Sequence, residues 1–527
     1  MNLRSSKSRA LVHRLPFPTH GLAMESIEVP NHPLTQSPST GTAPLVPYRH
    51  TKIIATIGPA TQSDLRLRSL LGAGVQIIRL NMAHGTPQWV LDTVANVRRI
   101  SSEIRRDVAV MMDVKGPEIR TGDVPQPIEI SVGDRVLMFT SECPDRVVER
   151  HSEDCKACVS VNYDDLPNEL SIGDKVLVDS GLLRFRVIEL GREFILCEAL
   201  LSGELTSRRH VNLPGIQIKL PSLTDKDRLD LDAGIEAGID FVAMSFVREA
   251  SDIDTLRSYL ESHGCEANII AKIEDQSGVR NCEAIIEASD SVMVARGDLG
   301  IEIELDTLPL SQTELIEKCQ AAGKPVIVAT HMLESMIQSP IPTRAEISDI
   351  CNAIREQADA VMLSGETTIG NYPIESVNAM TSIIDTIEPT VKAPINQSIK
   401  LEQPKVKMLR SAAVLAKELT ENQTEPSGIV VFSRSGFLPR VLGALRSKGV
   451  PIYAFTDVEL TYRQCLLPWG VKPFLIEFHD DPERTILDAL EVLKEYHDCP
   501  SGTWVVVITN VLAGEKIVDG MQVREVP

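Results

Sequence analysis

No apolar run in this sequence approaches the 18 or more residues that a membrane-spanning helix needs, and this argues against a helical membrane protein. Basic charge is also in short supply: 53 Lys and Arg face 73 Asp and Glu, for a net charge of −20, and no long basic run occurs. Nucleic acid and anionic membrane surfaces are therefore not expected as main partners. Regular cysteine spacing is missing too, and ten cysteines scattered over 527 residues fit free thiols in a reducing compartment. Cys143, Cys155 and Cys158, with His151 among them, include a CxxC and the ligand types of a zinc site. No second CxxC follows nearby, and loop thiols are the plainer reading. Acidic residues are absent before Glu25, a stretch that carries Arg4, Lys7, Arg9, Arg14 and several serines. That is the composition of a transit peptide. The competing readings are a disordered tail rich in Pro, Ser and Thr, a true start at Met24, or a species-specific extension. Residues 1–50 are accordingly read as a flexible extension of a cytoplasmic protein, organellar if the extension is a transit peptide.

What the chain does have is length enough for two to four domains and a 43% hydrophobic fraction typical of globular proteins. Its most informative stretch is 269–304. Two apolar runs, NIIAKI and SVMVAR, end in charge, the first at Lys272 and Glu274, the second at Arg296 and Asp298. NCEAIIEAS between them has helical spacing, so the unit reads as strand, helix, strand, and such a crossover makes the strands parallel. Both charged clusters then lie at the same end of one sheet, where two carboxylates and a lysine can share a divalent metal and an anionic substrate.

The pattern recurs. KIIATI, QIIRLN, VAVMMDV, FVAMSF, NIIAKI, SVMVAR, PVIVAT and AVMLS read as eight buried strands alternating with helical segments. This predicts an α/β fold, a (β/α)8 TIM barrel over 51–120 and 221–388, with an open doubly wound sheet as the alternative. Between 121 and 220 short alternating strands with Gly and Asp turns take over, and SVGDRV is echoed by SIGDKV. That segment reads as an inserted all-β domain, a small β-barrel, placed as a lid because it leaves from a βα loop. A linker follows residue 388. Residues 403–527 then form a C-terminal α/β domain without an acid, base or metal constellation, assigned to assembly or regulation.

In such a barrel, functional groups gather at the C-terminal strand ends. Those ends supply Arg79 and Asn81, Asp113 and Lys115, Ser245 and Phe246, Lys272 and Glu274, Arg296, Gly297 and Asp298, Thr330 and His331, and Ser364 and Glu366. The segments TKIIATIGPAT, IIRLNMAHGT, MMDVKGPEIRTG, VNLPG, AKIEDQSGV, VMVARGDLGIEI, KPVIVATHMLESM, PTRAEISD and VMLSGETTIGNYP, in that order and spacing, resemble the pyruvate kinase family. The resemblance implies phosphoryl transfer from phosphoenolpyruvate to ADP, giving pyruvate and ATP, with Mg²⁺ (or Mn²⁺) and K⁺ as cofactors and a homotetrameric assembly. It further implies Glu274 and Asp298 as Mg²⁺ ligands, and Lys272, Arg79, Thr330 and Ser364 as catalytic residues. Arg79, Lys272, Gly297, Asp298 and Thr330 would bind substrate, with the 295–297 turn offering N–H groups to its carboxylate, and Ser364 with Glu366 would relay a proton to water. Asn81, His84, Arg120 and Arg209 would be nucleotide contacts, and Asn81, Asp113 and Val114 K⁺ ligands.

Several positions depart from the family pattern. Ala83 removes a serine oxygen from the K⁺ site, Val114 keeps only a backbone carbonyl there, and Glu118 is the residue type of K⁺-dependent members, so a weakened or water-completed site is expected. Arg209 stands for a lysine and His210 for a glycine near the nucleotide, and His331 for a glutamine beside Thr330. SRSGFLPR resembles a phosphate-binding turn, but VLAGEKIVDGM replaces the glycine-rich loop, so activation by fructose 1,6-bisphosphate is not expected.

Overall fold

The computed structural model describes residues 48–216, 218–391, 395–400, 403–421, 427–495, 499–513 and 516–527, without the side chains of 510–518. Most of the N-terminal extension, part of the linker and part of the VLAGEKIVDGM loop thus lie outside the described residues. Among the described residues no helix is long and apolar enough to cross a membrane.

Eight parallel strands close a barrel: β1 (Lys52–Thr56), β2 (Ile77–Asn81), β3 (Ala109–Val114), β4 (Phe241–Met244), β5 (Asn268–Ile273), β6 (Ser291–Ala295), β7 (Val326–Ala329) and β8 (Ala360–Leu363). These are the eight runs read from the sequence. They are apolar almost throughout because each is buried on both faces, against the barrel interior and against the surrounding helices. The interior is packed by Ile54, Ile77, Met111, Phe241, Ile270, Met293, Ile327 and Met362. Two leucines from far along the chain, Leu466 and Leu467, join this cluster and close the barrel's lower end.

The lower rim follows one rule. Gln76, Asp240, Asp290 and Asp359 stand immediately before β2, β4, β6 and β8, and each side chain accepts an N–H from the first or second residue of the preceding strand: Ile53, Val110, Ile269 and Val326, at 2.8, 2.7, 2.9 and 2.9 Å. Those N–H groups would otherwise be buried without a partner.

The insertion after β3 holds a six-stranded curled sheet. Its order is Val211–Asn212, Lys175–Val178, Leu183–Leu190, Phe194–Ala199, Arg135–Phe139 and Ala157–Ser160, beside a two-stranded pair of Ile128–Ile130 with Gly203–Leu205. The two echoed motifs form the same turn. Asp134 and Asp174 accept the N–H of Ser131 and Ser171 at 2.8 and 2.7 Å, and Gly133 and Gly173 take φ of 88° and 98°, where a glycine is favoured. The insertion is not purely β, since Asp145–Ser152 and Leu166–Glu169 are short helices. The first buries none of its residues, so no apolar stripe marks it in the sequence.

The C-terminal domain is an α/β sheet of β9 (Ile429–Phe432), β10 (Ile452–Thr456), β11 (Val471–Leu475), β12 (Trp504–Ala513) and β13 (Lys516–Glu525), in the order β11-β10-β9-β12-β13 with only β13 antiparallel. Three of its arginines reach the barrel's lower rim. Arg446 binds Asp359 through two nitrogens at 3.0 and 2.6 Å, Arg463 binds Asp240 at 2.6 Å, and Arg440 lies 4.0 Å from Asp290. The start of β1 and the residues just before it join this junction: the His50 ring stacks on Trp469 with centroids 4.1 Å apart, and Lys52 Nζ, buried, donates to the Val471 carbonyl at 2.7 Å.

Candidate active site

At the upper rim the ends of β1 to β5 are joined by one unbroken chain of polar contacts. Thr56 Oγ1 accepts from Arg79 at 3.1 Å; Arg79 Nε donates to Asp113 Oδ2 at 2.6 Å; and Lys272 Nζ reaches Asp113 Oδ1 at 3.1 Å, Ser245 Oγ at 2.7 Å and Glu274 Oε1 at 2.9 Å. Glu274 Oε2 accepts the Phe246 N–H at 2.7 Å. The set balances two cations against two carboxylates in a dry environment, with Lys272 8% and Glu274 1% exposed. Burial opposes the charge on Lys272, but Asp113 and Glu274 outweigh it and hold the ammonium above its ordinary pKa. Burial likewise opposes charge on Asp113, and Arg79 and Lys272 reverse the effect and hold it below the carboxylate range. Glu274 is pushed up to about 7, chiefly by burial, against the pull of Lys272 and with the negative charge of Asp298 adding to the rise.

The second half of the rim faces an open cleft of about 1230 Å³ between barrel and insertion, lined from the barrel by Arg296, Gly297, Asp298, Thr330, His331, Ser364 and Glu366, and from the insertion by Lys175, Ser180 and Arg184 among others. Asp298 lies in the first turn of the helix Arg296–Glu302, and its carboxylate makes no hydrogen bond or ion pair among the described residues. Thr330 and His331, at the end of β7, take φ of 66° and 54°, and Phe246 after β4 takes 54°. Left-handed backbone at bulky residues is strained and gathers at functional sites.

Some expectations change in detail. Arg296 borders the cleft, but its guanidinium is taken up by Asp349 at 2.7 Å and by the Thr330 carbonyl at 2.7 Å. The 295–297 turn is the start of a helix, and the Gly297 N–H already donates to Thr330 Oγ1 at 2.6 Å. Glu366 is buried, and its two oxygens accept the Leu333 and Ser364 N–H groups at 2.9 and 2.7 Å, so it braces the loop. Ser364 Oγ, in contrast, is buried without a partner among the described residues. Thr56 went unnoticed in the sequence. Its only signal is that it ends β1 as Arg79 and Asp113 lie near the ends of theirs.

On the hinge side, Glu118 accepts from Lys115 and Arg120 at 3.1 and 2.7 Å, Arg209 lies 3.3 Å from Asp179, and His84 and Ala83 are exposed. The atoms expected to bind a monovalent cation are engaged within the protein: Asn81 Oδ1 accepts the Ala83 N–H at 3.1 Å, Val114 O accepts the Ser245 hydroxyl at 2.7 Å, and Asp113 is bound as above. A divalent cation fits better. Glu274 and Asp298 offer hard carboxylate oxygens, one unpartnered and the other with a pKa that its neighbour's charge helps to raise. Mg²⁺ is held by one or two carboxylates with water and substrate completing the shell.

Elsewhere, Cys155 and Cys158 interact with each other, and burial pushes Cys155 up to about 11. Among the described residues no group of three or more His, Cys, Asp or Glu side chains has the arrangement of a metal site. Arg434 of the SRSGFLPR turn is held by Asp457 at 2.8 and 2.6 Å, so its charge is already matched.

Comparison with known proteins gives a consistent result. The profile described as "Pyruvate kinase, barrel domain" matches residues 48–377, and "Pyruvate kinase, alpha/beta domain" matches 410–523. Plastidial pyruvate kinase 2 of Arabidopsis thaliana is 39% identical over 485 residues, covering 91% of this chain and 81% of the relative. A pyruvate kinase of Staphylococcus epidermidis is 38% identical over 476 residues, covering 89% and 79%. The crystal structure of a pyruvate kinase from Cryptosporidium parvum superposes with a TM-score of 0.80 at 33% identity, covering 91% of this chain and 97% of the other.

Proposed function

This chain belongs to the pyruvate kinase family of phosphotransferases, and on that premise we propose that it transfers the phosphoryl group of phosphoenolpyruvate to ADP by way of the rim from Arg79 to Asp298. The observation that carries the reading is the contact chain Arg79–Asp113–Lys272–Glu274, which holds two cations in fixed positions at the edge of a cleft. Charge spread over a phosphoryl group in flight is stabilised by cations already in place. Asp113 fixes both: it orients the Arg79 fork, suited to two phosphate oxygens, and draws Lys272 to the same side. Ser245 completes the hold on Lys272. Glu274 and Asp298 would hold Mg²⁺, which supplies charge neutralisation for the enol phosphate when bound.

After transfer the enolate carbon needs a proton. Thr330 Oγ1 and the unpartnered Ser364 Oγ stand on the cleft side of β7 and β8, within the same wall. Either hydroxyl can pass a proton from solvent. The Gly297 N–H is freed for a substrate carboxylate only if Thr330 rotates, so the two events are coupled through the 2.6 Å bond between them.

K⁺ dependence is proposed as weak, because Ala83 contributes no oxygen and the other candidate oxygens are engaged. Activity titrated with KCl, NaCl and a non-coordinating cation tests it, and equal rates in all three remove the site. The proposal extends to a homotetramer, read by sedimentation. It also extends to a cytoplasmic location, with the organellar alternative for the N-terminal extension read by fractionation.

A coupled assay for pyruvate tests the main reading. Turnover is expected to need both ADP and Mg²⁺, and Lys272→Met is expected to lower kcat by orders of magnitude with fold retained. Substrate binding without turnover marks a non-catalytic relative, and pyruvate release independent of ADP marks a lyase.

A further inference from the structure

The helix Arg296–Glu302 carries Asp298, a proposed Mg²⁺ ligand, and is only seven residues long. Asp298 makes no hydrogen bond or ion pair of its own among the described residues, so its carboxylate stands where the two ends of the helix put it. The first end is fixed to the barrel: Arg296 binds Asp349 and the Thr330 carbonyl, and the Gly297 N–H donates to Thr330 Oγ1. The last end is fixed by Glu302. Its carboxylate, 8% exposed, accepts the Asn212 amide N–H at 2.9 Å, and its backbone carbonyl accepts from the Gln276 side chain. Asn212 closes the strand Val211–Asn212, by which the chain leaves the insertion, and Gln276 stands two residues after Glu274, the other proposed ligand. Asp298 and Glu302 are one helical turn apart on the same face, with about 6 Å of rise between them. A shift at the Glu302 end is therefore carried to Asp298 by the intervening turn.

Packing alone does not explain the pair. Asn212 is 5% exposed, and its Oδ1 is buried with no partner among the described residues. A buried carbonyl left unmatched lowers stability, and an apolar side chain there would avoid that loss. Burial also pushes the Glu302 carboxyl up to about 7, the Asn212 bond opposing the rise and the nearby charges of Asp275 and Asp298 adding to it. What the pair does supply is a fixed separation between the insertion and the helix. We propose that Glu302 is a positioning residue for the metal site: it fastens the Asp298 helix to the insertion through Asn212 and to the Glu274 segment through Gln276, and so sets how the two metal carboxylates stand to each other. The inference rests on the reading of Glu274 and Asp298 as the divalent-metal ligands. It makes the grip on the metal depend on a residue outside that ligand pair and on where the insertion stands.

Mn²⁺ titrated into the full chain without substrate, with free Mn²⁺ read by its electron paramagnetic resonance, tests this, and Asp298→Asn marks the site. Glu302→Ala and Asn212→Ala are each expected to weaken Mn²⁺ about tenfold, the scale seen for residues that orient metal ligands from behind. Combining them is expected to add less than about twofold, since both cut the same link. Glu302→Gln, which keeps an oxygen for the Asn212 N–H but no charge, is expected to retain most of the affinity. The number of Mn²⁺ bound per chain counts the folded fraction, so a variant that only unfolds shows fewer sites at unchanged affinity. Unchanged affinity in either Ala variant overturns the proposal, and so does an additive double variant. Glu302→Gln as weak as Glu302→Ala overturns it too, because Glu302 would then act by its charge and not by its bond. A wild type whose Mn²⁺ binding survives Asp298→Asn intact sinks the metal reading, and this inference with it.

Discussion

Replacing Asp113 by Asn keeps its shape and removes the charge that Arg79 and Lys272 share. Both cations are then free to relax, and displacements near 1 Å cost about a hundredfold in rate; a kcat drop of that order is expected for Asp113→Asn in the coupled assay, with the far-ultraviolet spectrum unchanged. A second residue makes a pH prediction. Lys52 is buried with the Val471 carbonyl as its hydrogen-bond acceptor, and burial, only partly offset by Glu388, pushes its pKa down to about 8 from an ordinary 10.5. Between those values the unfolded chain binds more protons than the folded one, so this site adds stability as pH rises from 8 to 10.5 and is a net cost below 8. The shift corresponds to about 3 kcal/mol. Denaturation of wild type and Lys52→Met across that range is expected to show the advantage of Met at pH 7 shrinking as pH rises; a constant difference contradicts it. Lys272, Glu274 and Asp298 were legible in the sequence because charge at the end of an apolar strand is conspicuous. Thr56 was not, since threonine is an ordinary strand residue, and neither was the direction of Arg296, which depends on Asp349 fifty-three residues away.

Among elements, the short helix Gly365–Thr368 leaves little room at the glycine just beyond its end. A Cβ on Gly370 would stand 2.3 Å from the Glu366 carbonyl oxygen, so Gly370→Ala must push away the turn whose Glu366 carboxylate holds Ser364 and Leu333. A loss of about 1–3 kcal/mol is expected by chemical denaturation, together with reduced kcat. The helix Arg344–Arg355 opens with a capping box in which Thr343 and Glu346 satisfy each other's N–H groups, so Thr343→Ala is expected to cost about 1 kcal/mol with kcat little changed. The eight strands were legible because burial on both faces leaves them apolar except near their ends. The helix Asp145–Ser152 buries nothing and so has no pattern to read. The helix Arg296–Glu302 is not announced by the sequence, because Gly297 and Gly300 lower its helical propensity.

For the whole molecule, the division into barrel, insertion and C-terminal domain could be read from changes in periodicity, but the way the C-terminal domain grips the barrel could not. Arg446 and Asp359 are 87 residues apart, Arg463 and Asp240 are 223 apart, and no local pattern links them. Arg446 is buried at its partner, only 1% exposed, and Arg463 is half-buried against a fully buried Asp240. Arg446→Met leaves Asp359 without its counter-charge and is expected to cost about 3–5 kcal/mol. The expected signature is a C-terminal domain that melts in a separate, earlier calorimetric transition, and a single unshifted transition contradicts it. Leu466 and Leu467, which close the lower end of the barrel, bear on how the chain is made. The last barrel strand ends at Leu363, yet the plug beneath it is translated about a hundred residues later. A nascent barrel therefore emerges from the ribosome with its apolar interior open at one end, and its folding is completed only when the C-terminal domain arrives. Synthesis halted after residue 388 is thus a route to aggregation rather than to a free-standing catalytic unit.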